Sequence, residues 1–132
     1  MTTASVLPIL VVDDYSTMVR IMKKLLKEVG FDNVDDANSG TAALEMMSAK
    51  KYGLIISDWN MEPMTVFELL QKVRADEATK TLPFIMVTAE SKQDNVKAAK
   101  QAGVNNYLIK PFNAAVLKVK IEQALTEAAA MA

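Results

Sequence analysis

Apolar positions along this chain follow two rhythms. Leu54, Ile55 and Ile56 form an unbroken run too short for a helix, with Gly53 before it and polar residues after, as a strand buried on both faces requires. Leu7 to Val12, Phe84 to Thr88 and Tyr107 to Ile109 also read as strands, with Pro8 near the start of the first, where a missing donor is tolerated. Val34 to Ala37 is a shorter strand whose acidic neighbours suit a sheet edge. Between these runs the spacing changes to three and four. From Tyr15 to Val29 the apolar residues are Met18, Ile21, Met22, Leu25, Leu26 and Val29, and Gly30 supplies the stop of an amphipathic helix. Gly40 to Ala49 is helical after the capping residue Ser39. Thr65 and Glu68 form a capping box for a helix running to about Ala75, and Ser91 and Asp94 a looser one for a helix ending at Gly103. Asn113 caps a last helix with Val116, Leu117, Ile121, Ala124 and Leu125 on one face, fraying into Ala128, Ala129 and Ala130.

Five alternating strand and helix units predict an α/β fold, a doubly wound five-stranded parallel sheet with right-handed crossovers and helices on both faces. The 132 residues suit a single domain over 1–132, with an ordered core from about residue 5 to about residue 127. Composition then narrows the chemistry. Fifteen basic residues against sixteen acidic ones leave a net charge of -1, which gives no general attraction to nucleic acid or membrane. The chain has no cysteine, which excludes disulfides and zinc-thiolate sites and suits a reducing, cytoplasmic setting. It has no histidine, so a metal site must use oxygen ligands, which favours magnesium. Val6 to Val12 lacks a basic flank and runs into Asp13, unlike a signal peptide, and no segment is long enough to span a bilayer.

In an open parallel sheet the carboxyl ends of all strands share the edge where ligands bind. Taken singly, Asp58 fits a turn residue as well as a chemical centre, and Asp13 and Asp14 fit acids at a helix N-terminus. Together, Asp13, Asp14, Asp58, Thr88 and Lys110 converge on that edge from four strands. Three carboxylates within several Å repel by about 4 kcal/mol per close pair at an effective dielectric of about 20, so a counter-charge is required. A divalent cation supplies it, and magnesium keeps several waters, so two or three carboxylates and a backbone carbonyl make a sufficient protein shell.

Four segments carry a family likeness: Val11-Val12-Asp13-Asp14-Tyr15-Ser16-Thr17-Met18, Ile56-Ser57-Asp58-Trp59-Asn60-Met61, Met86-Val87-Thr88-Ala89-Glu90 and Lys110-Pro111-Phe112. Over nearly its whole length the chain resembles the receiver domains of two-component signalling, and among them the CheY-like single-domain response regulators of chemotaxis. The flavodoxin-like strand order 2-1-3-4-5 comes with this resemblance and not from periodicity. The resemblance implies that Asp58 accepts a phosphoryl group from a phosphohistidine of a separate histidine kinase, giving an aspartyl phosphate. It implies magnesium held by Asp14, Asp58 and the Asn60 carbonyl, with Asp13 acting through bound water. By the same resemblance Lys110, joined to Pro111 by a cis peptide in the family, would pair with a phosphate oxygen. Thr88 donates its hydroxyl to the phosphate and draws the next loop inward, and Tyr107 moves from an exposed to a buried rotamer. Lys92 and Lys120 join Tyr107 on an output face made by the fourth helix, the fifth strand and the last helix. Asn60 and Glu90 tune dephosphorylation, and Trp59 reports on metal and phosphate.

The partners so implied are the kinase, a flagellar motor switch protein and a phosphatase, met by a monomer that catalyses its own phosphorylation and dephosphorylation but serves mainly as a switch. Two positions depart from the family pattern. Glu62 replaces a usual proline and adds negative charge beside the site, and Val66 replaces a usual glycine. With Thr65 as N-cap, Val66 takes the first helical position and needs no positive φ. A phosphate sink or relay intermediate uses the same site. A magnesium-dependent aspartyl phosphohydrolase wants a second acid two residues after the nucleophile, where Asn60 stands. A flavodoxin-like electron carrier wants a phosphate-cradling glycine or serine loop after Val12, which is missing.

Overall fold

The computed structural model describes residues 7–58, 66–88, 101, 103–110 and 112–131. In chain order the elements are β1 (Ile9–Val12), α1 (Ser16–Glu28), β2 (Val34–Ala37), α2 (Gly40–Ala49), β3 (Leu54–Asp58), α3 (Val66–Ala75), β4 (Phe84–Thr88), β5 (Asn106–Ile109) and a C-terminal helix (Ala114–Met131). The strands form one parallel sheet in the order β2-β1-β3-β4-β5, as the doubly wound reading and the family likeness require. The helix expected over 91–103 lies almost wholly outside the described residues, as does Thr65.

Two apolar layers sandwich the sheet because successive strand residues point to opposite faces. Leu10, Val12, Ile55, Phe84 and Met86 pack toward Ala43 of α2 and Leu69, Leu70 and Val73 of α3. Ile9, Val11, Ile56, Ile85 and Leu108 pack toward Met22 and Leu26 of α1 and Leu117, Ile121 and Ala124 of the C-terminal helix. All residues of β1, β3 and β4 are buried, which explains why they read as continuous apolar runs.

Element ends follow local chemistry. Gly30, at φ +99, ends α1: its N–H bonds Lys27 O and the Phe31 N–H bonds Leu26 O, a Schellman stop with Phe31 and Leu26 in one core cluster. Ser39 caps α2 by accepting from the Ala42 N–H at 3.1 Å, and Asn113 caps the C-terminal helix by accepting from the Val116 N–H at 2.9 Å. Among the described residues only Gly30 and Gly103 have positive φ, so Val66 starts α3 without strain. Three expectations shift. Ile21 is 44% exposed, because it precedes Met22 by one residue and is turned about 100° from it; the buried stripe of α1 is Val19, Met22 and Leu26. Val116 is likewise exposed while Leu117, Ile121 and Ala124 are buried. The last helix continues to Met131 instead of fraying at Ala128, in keeping with the helix propensity of alanine.

The edge strand β2 neutralises its own acids. Asp35 and Asp36 point to opposite faces, and each meets a lysine on its side: Lys50, just past the end of α2, donates from Nζ to Asp35 Oδ2 at 2.9 Å, and Lys23 of α1 from Nζ to Asp36 Oδ1. Both lysines are partly exposed, so these pairs contribute little. The buried Tyr52 hydroxyl matters more: it donates to Asp35 Oδ2 at 2.7 Å, which with Lys50 holds that carboxyl below its ordinary range. Burial and the neighbouring carboxylate push the Tyr52 phenol from 10.0 up to about 12. An unfolded phenol ionises near 10 and the folded one near 12, so its stabilising effect is complete below pH 10 and is lost as pH rises to about 12. In urea unfolding, the stability difference between wild type and Tyr52→Phe should be constant up to pH 10 and then move against wild type. A difference unchanged to pH 12 would mean that the phenol ionises as freely as in water.

Candidate functional site

Strand register assembles the site. Val12 pairs with Ser57 across β1 and β3, so the next residues, Asp13 and Asp58, stand side by side at the carboxyl edge. The Asp13 N–H donates to Ala37 O at 3.0 Å and the Lys110 N–H to Thr88 O at 2.8 Å, each extending a ladder one step past its strand. These bonds fix the backbone under three functional side chains. The Lys110 ammonium turns back over the edge to donate to Asp58 Oδ1 at 3.0 Å.

Carboxylate oxygens of Asp13, Asp14 and Asp58 lie within 4.8 Å of one another. Asp13 and Asp58 are buried and Asp14 is exposed. The capping alternative is partly realised, since Asp13 Oδ1 accepts from the Tyr15 N–H at 3.0 Å at the start of α1. That bond does not outweigh the surroundings. Burial pushes the Asp13 carboxyl up, the Tyr15 amide opposes this, Asp58 adds to the rise, Lys110 opposes it, and Asp14 adds a little more. Three carboxylates against one lysine leave a formal charge of -3 + 1 = -2. The donors are all hard oxygens and the charge deficit matches one divalent cation, so the residues fit magnesium. A groove lined by Asp13, Asp14, Ser16, Arg20, Lys23 and Asn38 opens from the acids toward β2 and gives solvent access.

Of the residues singled out in the sequence, the structure brings together Asp13, Asp14, Asp58 and Lys110, with the buried Thr88 at the end of the adjoining strand. Tyr107 and Lys120 are on the β5 side, in contact with each other: Lys120 Nζ is 4.9 Å from the Tyr107 ring centroid. Trp59, Asn60, Glu62, Glu90, Lys92 and Pro111 lie outside the described residues. Periodicity did not single out Asn106, whose buried carboxamide donates to Lys120 O at 3.2 Å and Gln123 Oε1 at 2.8 Å and accepts from the Tyr107 N–H at 2.9 Å. The available signal was two consecutive asparagines at the mouth of an apolar strand, where a side chain must satisfy backbone groups.

Comparison with known proteins agrees with this geometry. The family model described as the response regulator receiver domain matches residues 9–122. The chain is 54% identical over 115 residues to the chemotaxis protein CheY of Pseudomonas aeruginosa, covering 87% of this chain and 93% of that one. It is 48% identical to the chemotaxis protein CheY-3 of Vibrio cholerae, covering 87% and 88%. Among solved structures, Vibrio cholerae chemotaxis protein CheY4 superposes with a TM-score of 0.83 at 31% identity, over 90% of this chain and 98% of that one. The receiver domain of a sensor histidine kinase from Pseudomonas aeruginosa, solved with a magnesium ion coordinated in its active-site cleft, gives 0.81 at 26% identity, over 91% and 98%.

Proposed function

The chain belongs to the response regulator receiver family as a CheY-type receiver domain of two-component signalling, and from that premise we propose that it is a cytoplasmic chemotaxis switch phosphorylated on Asp58 by a histidine kinase and read by the flagellar motor switch. The observation that carries this reading is the Asp13, Asp14 and Asp58 cluster with Lys110 Nζ on Asp58 Oδ1. An Asp58 carboxylate oxygen attacks the phosphorus of the donor phosphohistidine. The P–N bond breaks, its electron pair returns to the imidazole, and an aspartyl phosphate remains. Asp13, Asp14 and Asp58, with the Asn60 carbonyl, would hold magnesium, whose charge offsets that of the transferring phosphoryl. Lys110 is already bonded to the nucleophile and pairs with a phosphoryl oxygen as charge moves there. The histidine-free composition agrees with a donor on another protein. The chemotaxis names of the relatives favour the motor switch as the output partner.

Thr88 and Tyr107 carry the output step. Thr88 bonds the phosphoryl, Tyr107 turns inward, and the surface beside β5 changes shape to accept an acidic or amphipathic partner segment. Phosphorylation shifts this equilibrium only by its differential stabilisation of the two states, so an affinity gain of about 5- to 150-fold is expected. Thr88→Ala should still take up phosphoryl label yet lose most of that gain. Titration of a motor-switch peptide against phosphorylated and unphosphorylated protein measures it; a full gain in Thr88→Ala would remove Thr88 from the switch while leaving the phosphorylation chemistry standing.

A further inference from the structure

We infer that Lys120 is a latch that holds Tyr107 in the partly buried position it occupies in this structure, so that the chain sets its own activation threshold inside the output face. The inference rests on the reading of Tyr107 as a moving switch and adds a residue that opposes the movement. Lys120 Nζ lies 4.9 Å from the centre of the Tyr107 ring, within the range at which an ammonium is attracted by the electron-rich face. Among the described residues Lys120 makes no ion pair, so the ring is the partner of this cation. The geometry is held from below. The buried Asn106 carboxamide accepts from the Tyr107 N–H and donates to Lys120 O and Gln123 Oε1, which ties the strand residue carrying the ring to the helical turn carrying the ammonium. These bonds hold the backbone of Lys120 beside the strand residue that carries the ring, which keeps the ammonium within reach of it.

A contact made in only one of two states biases the equilibrium by its whole strength. Turning the ring inward breaks this contact, and a cation–π interaction at a partly exposed site corresponds to about a two- to fivefold change in population. The resting protein is thus less active than Tyr107 alone would make it. A carboxylate on a docking partner that draws the ammonium off the ring removes the same restraint, so docking and ring movement reinforce each other.

The test uses the full chain labelled with fluorotyrosine and observed by fluorine NMR. Its three tyrosines are assigned by single phenylalanine replacements. In unphosphorylated Lys120→Met, the Tyr107 signal should move toward its position in phosphorylated wild type, reflecting a two- to fivefold larger inward population. Lys120→Arg, which keeps a cation over the ring, should coincide with wild type. If Tyr107 shifts on phosphorylation but Lys120→Met matches unphosphorylated wild type, the latch is overturned alone. If phosphorylation never shifts Tyr107, the switch reading fails and the latch with it.

Discussion

Exchanging Asp58 for asparagine is expected to abolish covalent phosphorylation, lowering label from a small phosphodonor in the presence of magnesium by on the order of a thousandfold or more. The amide has nearly the same shape but no anionic oxygen to attack phosphorus. It can still accept the hydrogen bond that Lys110 now gives to Asp58 Oδ1, so the site should not collapse. Stability separates loss of chemistry from loss of fold. Asp58 is buried close to Asp13 and Asp14, and removing its charge relieves a repulsion that contributes to the raised Asp13 carboxyl. Asp58→Asn should therefore melt no lower than wild type. Chelating magnesium should suppress labelling of wild type as well, by leaving the acids uncompensated. Label retained at wild-type yield in the folded variant would place the acceptor elsewhere.

The second large effect concerns folding, at Arg74. Its guanidinium donates from Nε to Gly103 O at 3.1 Å, from one terminal nitrogen to Gly103 O at 2.7 Å and Asn105 Oδ1 at 2.9 Å, and from the other terminal nitrogen to Lys80 O at 3.2 Å and Leu82 O at 2.7 Å. Asn105 Oδ1 also accepts from the Phe84 N–H at 2.8 Å. One side chain at the end of α3 thus ties down the entries to β4 and β5. Burial pushes the guanidinium down from its usual range, with Glu127 opposing, so the bonds work against a desolvation cost. Hydrogen bonds to a charged group contribute about 1.5 to 3 kcal/mol each, but they share one ion and are not additive. For Arg74→Met we expect a net loss of about 3 kcal/mol, and a melting temperature roughly 10 °C lower. Arg74→Lys should recover little, because a single ammonium cannot span the fork of acceptors. Thermal unfolding followed by circular dichroism decides the matter: a shift under about 2 °C would show that solvent satisfies those carbonyls equally well.

Arg74 also marks the limit of what the chain discloses in one dimension. Strands buried on both faces announce themselves as runs such as Leu54 to Ile56, and capping residues such as Ser39 and Asn113 stand where the periodic residues begin. Convergence of Asp13, Asp58 and Lys110 was legible because parallel topology places every strand's carboxyl end on one edge, whatever the side-chain detail. Contacts between residues far apart in sequence leave no periodic trace. Arg74 with Asn105, Tyr52 with Asp35, and Asn106 with Gln123 each join elements that meet only after folding. The apolar stripe of α1 was placed with an error at Ile21 because a short amphipathic pattern fixes the face of a helix only to within about a residue.

The Arg74 clamp grips the amino ends of β4 and β5, whereas the acids occupy the carboxyl ends of the same sheet. A mutational screen that scored cellular abundance and signalling separately would divide the molecule along the strand axis. Changes at the amino ends would lower the amount of protein and scale every output down together. Changes at the carboxyl ends would leave abundance intact and distort the signal alone. Such separation lets the two properties drift independently, so that a lineage can retune how long the signal lasts without first acquiring spare stability.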